Sequence, residues 1–595
     1  MKARRLLRRV AIALGLVLAL ASAAAGQKVL RYAFPLPESG FDPAQITDLY
    51  SRTVTAGIFE APLEYEYLSQ PARLRPATAV ALPEVSADHR RFVFRLRPGI
   101  FFDEHPAFDG RRRELVAEDY VYALKRHYDP RWKSGNLQQL ESAGVLGLSE
   151  LRQRALAERR PFDYDTPVEG LRSLDRYRFE VRLARPDPRF VHLFADPSFA
   201  GAVAREVVEA EGRDIGAHPV GTGPWRLVEW RRGQRIVLER RPDWRGQRYD
   251  ETAPADAPAT LRAQAERWRG RRLPMLDRVE IAVIEQPQPR WLAFLNGEHD
   301  LIENLPGDFA AQALPGGRLA PHLAARGLQA WRSPLPSIAM TYFAMDDPVV
   351  GGYGASRVAL RRAIALAVDV ERERLLVRGG QALPAQALIA PLTYGHDAAL
   401  RSEMGTHDLA RARALLDLYG YVDHDGDGWR DAPGGTPLTL RYAMQSDATS
   451  RALAEQWQRN MAALGLRIEF EIATWAENLK RSRAGRLMMW GVGWMASEPD
   501  GDTFLALGYG PNAGQGNPSG FALPAFDRLY ERQRSLPDGP QRLAAMQAAQ
   551  RLLLAYMPMK VHVHQLATDL AQPALQGYRR NPFVPNFWKY VDLER

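Results

Sequence analysis

Residues 438–492 read LTLRYAMQSDATSRALAEQWQRNMAALGLRIEFEIATWAENLKRSRAGRLMMWGV, and apolar side chains recur in them with two different periods. Alternation at every second position predicts strands, and recurrence at every third or fourth position predicts helices. The pattern predicts, in order, strand, helix, strand, helix and strand over residues 438–444, 453–464, 466–472, 476–483 and 487–492. Strands that alternate with helices in this way predict an α/β fold with a largely parallel sheet.

The segment that follows the last of these strands, residues 493–521, lies where open α/β sheets bind their ligands, beyond the carboxyl ends of the strands. It is rich in Gly and Pro, which break helices and strands alike. Its aromatic side chains and carboxylates suit a pocket for a polar or cationic organic ligand. The predicted ligand-binding residues are Trp494, Met495, Ser497, Glu498, Asp500 and Asp502. The alternative is a solvated loop with one aromatic side chain packed into the core.

Length and composition indicate a protein of several domains with ordinary globular composition. The chain has 595 residues, of which 46% are hydrophobic and 25% charged. The formal net charge is +9, but no dense basic run interleaved with aromatic residues occurs in the sequence, so nucleic acid is not an expected partner.

The first 26 residues have the pattern of a secretory signal peptide. Five basic residues precede an apolar run, Val10–Leu20, and small residues that suit cleavage follow it. The run is too short to span a bilayer comfortably, which disfavours the alternative of a membrane anchor. Removal of the five basic residues from a net charge of +9 leaves about +4.

The sequence contains no cysteine. Disulfides, thiolate metal sites and a cysteine nucleophile are therefore excluded. A lipidated cysteine, which would tether an exported protein to a membrane, is excluded as well. The expected location is the periplasm, with a cleaved signal peptide and no lipid anchor.

Two motifs could hold a metal ion. Residues 423–428, DHDGDG, begin like a calcium-binding loop, but Gly434 stands where such a loop needs a bidentate Glu, so a plain turn is the favoured interpretation. His562 and His564 lie on one face of a predicted strand, 560–566, and would need a third ligand to hold zinc. A half-buried strand face is the favoured interpretation. No nucleophile elbow, zinc helix or phosphate-binding loop occurs, so no enzyme is predicted.

Short motifs spread over the chain resemble the family 5 extracellular solute-binding proteins, the peptide, dipeptide and nickel receptors of ABC importers. Each motif is weak alone, but together they keep the order in which the family has them. They are Leu96–Gly99, Phe108–Gly110, Ala117–Arg126, Pro219–Trp225, Ala293–Asp300, Val358–Asp369, Gly493–Trp494 and Phe521–Asp527.

The resemblance implies an α/β fold of the periplasmic-binding-protein type, with two lobes of mixed sheets around a hinged cleft and an extra domain on one lobe. Ligand would be enclosed when the cleft closes. Lobe I would be discontinuous and would take residues 27–57, 190–335 and 566–595. The extra domain would be 58–189 and the second lobe 336–565.

The resemblance also implies a function: capture of a peptide or peptide-like solute and its delivery to an ABC permease and its ATPase. The protein would act as a monomer, without a cofactor, and would meet the membrane only through the permease. Peptide receptors of the family place an acid three positions after the Trp of the Gly-Trp motif, where this chain has Ser497. Some members place an arginine just before the Gly, where Val492 stands.

These departures leave two alternatives open. In the first, the same fold binds a non-peptide solute, such as a chelated metal, haem, a sugar or a drug-like compound. In the second, the protein is an exported metal-dependent hydrolase that uses His562 and His564. If the ligand is a peptide, Glu498, Asp500 or Asp502 could take the role of the missing acid.

Overall fold

The structure is a computed structural model that describes residues 26–594. The predicted signal peptide therefore lies outside the described residues, apart from Gly26. Between residues 26 and 594, no helix has the length and the apolar content needed to cross a bilayer.

The strands are short and spread over the whole described chain. They are β1 (Val29–Phe34), β2 (Leu63–Tyr65), β3 (Leu74–Pro76), β4 (Glu84–Val85), β5 (Arg91–Arg95), β6 (Leu171–Asp175), β7 (Arg178–Arg182), β8 (Trp225–Arg231), β9 (Arg235–Arg240), β10 (Gln247–Arg248), β11 (Arg272–Leu273), β12 (Arg278–Val283), β13 (Leu301–Ile302), β14 (Gln329–Pro334), β15 (Ser337–Phe343), β16 (Ala382–Pro384), β17 (Asp431–Ala432), β18 (Thr436–Pro437), β19 (Thr439–Met444), β20 (Arg467–Ile472), β21 (Met489–Met495), β22 (Met559–Ala571), β23 (Leu575–Gln576) and β24 (Asp592–Leu593).

Helices alternate with these strands. They are α1 (Leu49–Ile58), α2 (Ala117–Tyr128), α3 (Leu137–Ala143), α4 (Leu148–Glu158), α5 (Pro197–Ala200), α6 (Arg205–Glu211), α7 (Ala259–Trp268), α8 (Pro287–Leu295), α9 (Gly307–Ala313), α10 (Pro321–Ala324), α11 (Ala355–Ala367), α12 (Val370–Arg372), α13 (Leu409–Leu418), α14 (Ala448–Leu464), α15 (Trp475–Arg483), α16 (Asp502–Leu505), α17 (Pro524–Ser535) and α18 (Pro540–Tyr556).

The strand–helix pattern predicted for residues 438–492 is confirmed. It forms β19, α14, β20, α15 and β21, in that order. β19 pairs in parallel with both β20 and β21, as strands joined by helical crossovers should. The sheet as a whole is mixed, because β21 pairs antiparallel with β15.

The strand β22 joins the two halves of the main sheet. The predicted strand 560–566 is part of a longer one, because β22 runs from Met559 to Ala571. Its first half pairs with β15, and its second half pairs with β14 and β13. The resulting strand order is β20-β19-β21-β15-β22-β13-β1-β12-β9-β8.

Apolar side chains form separate cores on the two sides of this joining strand. One core takes its buried side chains from residues 338–563, and another takes them from residues 30–301 together with the C-terminal segment 571–593. The four-stranded antiparallel sheet β4-β5-β7-β6 shares the second of these cores. These cores agree with two lobes in which β22 crosses from one to the other.

Candidate functional site

The strand β21 runs further than the sequence predicts and carries the Gly-Trp motif with it. Trp494 and Met495 are the last residues of the strand and pair with Ile338 and Ser337 of β15. Side chains alternate along a strand, so the two point to opposite sides. Trp494 is 37% exposed and lines a cavity of about 430 Å³, whereas Met495 is 50% exposed and is not part of the cavity wall. The structure therefore brings Trp494, and not Met495, to the candidate site.

The acidic loop after β21 is held in place by its backbone. The amide of Tyr394 donates to the carbonyl of Pro499 at 2.9 Å, and the amide of Gly501 donates to the carbonyl of Tyr394 at 3.0 Å. The loop carries Ser497 and Glu498 into the cavity wall. Because Pro499 and Gly501 are both hydrogen-bonded to the backbone of Tyr394, the backbone that carries Ser497 and Glu498 is held in position.

Asp500 lies in the cavity wall, but its charge is already paired. Both of its carboxylate oxygens accept hydrogen bonds from the guanidinium of Arg542, at 2.6 and 2.7 Å. Burial alone would raise the pKa of this carboxyl, but the hydrogen bonds and charge of Arg542 outweigh it and the pKa is lowered. The Arg542 side chain is fully buried. Asp500 therefore stabilises the loop and is not free to bind a ligand.

Asp502 is partly engaged with residues of α17. Its carboxylate accepts hydrogen bonds from the side-chain amide of Gln533 and, at 3.4 Å, from the hydroxyl of Tyr530. The guanidinium of Arg534 lies 4.0 Å away. Burial raises the pKa of Asp502, and these partners offset that effect only in part.

Among the acids of this loop, Glu498 has the fewest partners for its negative charge. The residue is half-buried, and its carboxylate accepts one hydrogen bond, from the side-chain amide of Gln139 at 2.9 Å. In the part of the chain that the structure describes, no Lys, Arg or His lies within ion-pair distance of it. Burial, followed by the charges of Asp500, Asp187, Asp196 and Asp502, raises its pKa to about 8. A cation placed beside Glu498 would relieve this repulsion.

The opposite wall of the cavity comes from a segment some 300 residues earlier in the chain. It includes Gln139 on α3 and, further along the chain, Asp187 and Arg189. The guanidinium of Arg189 donates to the carbonyls of Arg534, at 2.5 Å, and Leu536, at 3.2 Å. The cavity thus lies between two parts of the chain that direct contacts hold together. This wall could not be predicted, because no local sequence pattern marks these residues as parts of a binding site.

The histidine pair is not a joint metal site. Both ring nitrogens of His562 are engaged, with Glu373 at 2.8 Å and Thr341 at 2.9 Å. Burial would raise the pKa of Glu373, but His562 and Arg378 outweigh it and lower the pKa to about 2. His562 is therefore a buried side chain whose two ring nitrogens are already engaged, and the strand is buried on both faces here and not half-buried as expected.

The calcium interpretation of residues 423–428 stays a prediction. Oxygens of Asp423, Asp425 and Asp431 lie within 4.8 Å of one another. Both oxygens of Asp423 accept hydrogen bonds from amides of its own loop, those of Gly426 at 2.7 Å and Gly428 at 2.9 Å. These bonds are those of a plain turn.

Comparison with known proteins agrees with this architecture. Residues 73–516 match the family model described as bacterial extracellular solute-binding proteins, family 5. A relative in Pseudomonas aeruginosa, "Di/tripeptide-binding protein 2", is 26% identical over 97% of this chain and 98% of its own length.

Solved structures agree in fold. The periplasmic binding protein DppA of Helicobacter pylori, in complex with the peptide STSA, has a TM-score of 0.69 at 20% identity, over 95% of this chain and 98% of its own. NikA of Brucella suis, in complex with Fe(III)-EDTA, has a TM-score of 0.72 at 18% identity, over 95% of this chain and 100% of its own. The expected α/β fold of two lobes around a cleft is therefore correct, and this protein belongs to the family 5 bacterial extracellular solute-binding proteins.

Proposed function

We propose that this protein is the periplasmic substrate-binding component of an ABC importer and that it captures a short peptide. The observation that carries the proposal is the Glu498 carboxylate, which lines the cavity together with Asp187, Asp500 and Asp502. A peptide ammonium bound to Glu498 would remove the repulsion among these acids and would form charge-assisted hydrogen bonds. The cavity volume, about 430 Å³, falls within the range of roughly 300–1,000 Å³ that is usual for small-molecule sites.

In this proposal Glu498 takes the role that the resemblance assigns to position 497. Ser497 lines the same cavity, but a neutral hydroxyl holds an ammonium more weakly than a carboxylate does. Trp494 supplies an aromatic face beside the acid. The presence of a "Di/tripeptide-binding protein" among the relatives supports a peptide ligand.

Binding would enclose the ligand without any chemical step, and the loaded protein would deliver it to the permease and its ATPase. The protein would work as an exported monomer, after removal of residues 1–26 and without a lipid anchor. Lobe I would consist of 27–57, 190–335 and 566–595, the extra domain of 58–189, and the second lobe of 336–565. In this arrangement Gln139 and Arg189 belong to the extra domain, and Glu498 belongs to the second lobe.

The replacement of the family acid by Ser497 favours a second candidate, a non-peptide solute in the same cavity. The acidic wall limits the choice, because like charges repel in a partly buried site. Anionic ligands, such as metal complexes of polycarboxylate chelators, would meet this repulsion. A solute with a protonated amine would be attracted to the acidic wall and not repelled by it. If the ligand is not a peptide, the site therefore favours a compound that carries an amine.

Titration calorimetry with the chain from Gln27 onward tests the proposal. The dipeptide Ala-Ala should bind, and its N-acetylated form, which lacks the ammonium, should bind at least tenfold more weakly. Ligand at 100 times its dissociation constant should add about 2.7 kcal/mol to the free energy of unfolding. Glu498→Gln should lose the preference for the free amine, and Glu455→Gln, an exposed acid on α14, should keep it. Equal binding of both dipeptides would contradict the proposal.

A further inference from the structure

A second cavity, of about 360 Å³, lies against β22 where this strand changes its pairing partner from β15 to β14. Two imidazoles, those of His396 and His564, stand in its wall. This cavity shares no lining residue with the one that holds Glu498. The role proposed above therefore does not account for it.

Both imidazoles are oriented by backbone carbonyls. Nδ1 of His564 donates to the carbonyl of Ser337 at 3.1 Å, and Nδ1 of His396 donates to the carbonyl of Ile389 at 2.9 Å. A carbonyl can only accept, so each Nδ1 carries the proton and each Nε2 keeps its lone pair. Among the hydrogen bonds of residues 26–594, none involves either Nε2. A histidine that donates from Nδ1 to a carbonyl and is free at Nε2 has the arrangement found in metal-binding histidines.

The two rings are close enough to share one ion. Their centroids are 5.9 Å apart, and their planes are nearly perpendicular, at 88°. With a metal–nitrogen distance of about 2.0–2.1 Å, each centroid would lie about 3.2 Å from the ion, and two such centroids at a tetrahedral angle would be about 5.2 Å apart. The observed spacing of the centroids differs from this value by less than an ångström. His396 is half-buried on a loop, and His564 lies in the buried strand.

The buried histidine is held in one orientation. Its side chain is buried in β22, and the Ser337 carbonyl fixes the ring through Nδ1, so Nε2 has a set direction. The nearby Arg401 is exposed, and its Nη1 is bonded to the carbonyls of Ala398 and Leu400, so solvent screens its charge.

We propose that His396 and His564 form a binding site for a divalent transition-metal ion of the Ni²⁺, Cu²⁺ or Zn²⁺ class. Imidazole nitrogen is a ligand that these ions favour. Among the described residues, no third His, Asp or Glu forms a compact three-ligand group with this pair. Water would fill the remaining coordination positions. Because His564 lies on β22 and is bonded to Ser337 of β15, the site lies where β22 passes from one half of the sheet to the other.

Calorimetry with Ni²⁺ alone, on the chain from Gln27 onward, tests this site. One ion per chain is expected, and His396→Gln and His564→Gln should each weaken binding at least tenfold. Two controls should bind like the parent protein: His407→Gln, an exposed histidine elsewhere, and Asp423→Asn in the acidic loop. With Cu²⁺, electron paramagnetic resonance should show coupling to two nitrogens, and to one in either variant.

Several outcomes would overturn the proposal. They are undiminished Ni²⁺ binding by His396→Gln, loss of binding only in Asp423→Asn, and no binding at all at millimolar Ni²⁺. His396→Gln is the decisive variant, because its side chain is half-buried and its removal disturbs the core least. The variant should still bind Ala-Ala like the parent protein, so failure of the metal site and failure of the peptide site can be told apart.

Discussion

At the scale of single residues, Glu498 is the proposed ammonium-binding group of the cavity that Trp494 also lines. An isolated glutamate has a pKa near 4.5, and burial with neighbouring acids raises that of Glu498 to about 8. The raised pKa means that the folded protein favours the protonated acid. The stability that this provides is complete below pH 4.5 and is lost as the pH rises through 8.

Glu498→Gln should therefore raise the melting temperature at pH 8.5 and leave it nearly unchanged at pH 4, since the amide stays neutral at both. Thermal melts of the ligand-free parent protein and of the variant, from pH 4 to pH 9, measure the difference between their melting temperatures. Glu455→Gln, on the exposed face of α14, should show no such trend. A difference that does not vary with pH would argue against a raised pKa at Glu498.

Asp500 and Arg542 are a buried pair, and breaking it should be costly. Arg542→Met leaves the buried carboxylate of Asp500 with only Arg189, 3.9 Å away, as a nearby cation, which should cost about 3–5 kcal/mol of the free energy of unfolding. Urea denaturation measures this loss. The double variant Asp500→Asn, Arg542→Met should recover a substantial part of it, because the carboxylate is removed together with its main partner. A loss below about 1 kcal/mol in the single variant would mean that Asp500 is paired elsewhere.

At the scale of secondary-structure elements, the apolar period of the sequence predicted the order of strands and helices in residues 438–492. It could not predict contacts with other parts of the chain. Asp119 lies in the first turn of α2, and its carboxylate accepts a hydrogen bond from the backbone amide of Val116 at 2.8 Å, just before the helix. In α11 the apolar side chains of Leu360 and Ile364 are buried at helical spacing, but Arg361 is buried as well. Its guanidinium donates to carbonyls of Val350, Gly352, Tyr556 and Met557. Val350 and Gly352 lie in the segment before the helix, and Tyr556 and Met557 lie 195 and 196 residues away, so no helical period could reveal these contacts.

The end of β21 could not be predicted for a similar reason. Glycine-rich sequence after Val492 predicted a loop, but the strand continues to Met495 because β15 pairs with it over its full length. Residues that suit a loop are kept in a strand when a neighbouring strand satisfies their backbone groups. The loop therefore begins three residues later, and Met495 is not part of the cavity wall.

The short element α16 begins beside Gly501, where close packing leaves no room for a side chain. A Cβ added there would lie 2.6 Å from the carbonyl oxygen of Tyr394 and 2.7 Å from Ile389. Gly501→Ala should therefore displace the acidic loop, lower the melting temperature and weaken Ala-Ala binding. Gly354→Ala, at the start of α11, meets no atom within 4 Å and is the matched control. Unchanged binding by Gly501→Ala would show that loop position does not set affinity.

At the scale of the whole molecule, sequence predicted one wall of the site and not the other. Trp494 and the acids follow a strand pattern that any α/β sheet would use, so their position could be inferred. Gln139, Asp187 and Arg189 reach the cavity only through the tertiary arrangement. The sequence also could not show which of the acids lacks an ion-pair partner. The partner of Asp500 is Arg542, which lies on α18, a separate element.

Arg189 links the two walls, and its removal should loosen the contact between them. Its guanidinium bonds to the carbonyls of Arg534 and Leu536, which lie on the other side of the cavity. Arg189→Ala should weaken Ala-Ala binding several-fold, mainly through faster dissociation, since related complexes differ mostly in that rate. Stopped-flow fluorescence measures it, with Arg185→Ala, an exposed neighbour, as control. An unchanged dissociation rate would mean that Arg189 does not hold the cavity closed.

The central claim is that a carboxylate of raised pKa, Glu498, receives the ammonium group of the ligand. Proton release on binding tests it most directly, because the bound cation should lower the pKa of Glu498 from about 8. Calorimetry with Ala-Ala at pH 7, in buffers of different ionisation enthalpy, should show release of nearly one proton per chain, and none for Glu498→Gln. Binding of Ala-Ala without proton release, or equal release by Glu498→Gln, would contradict the account.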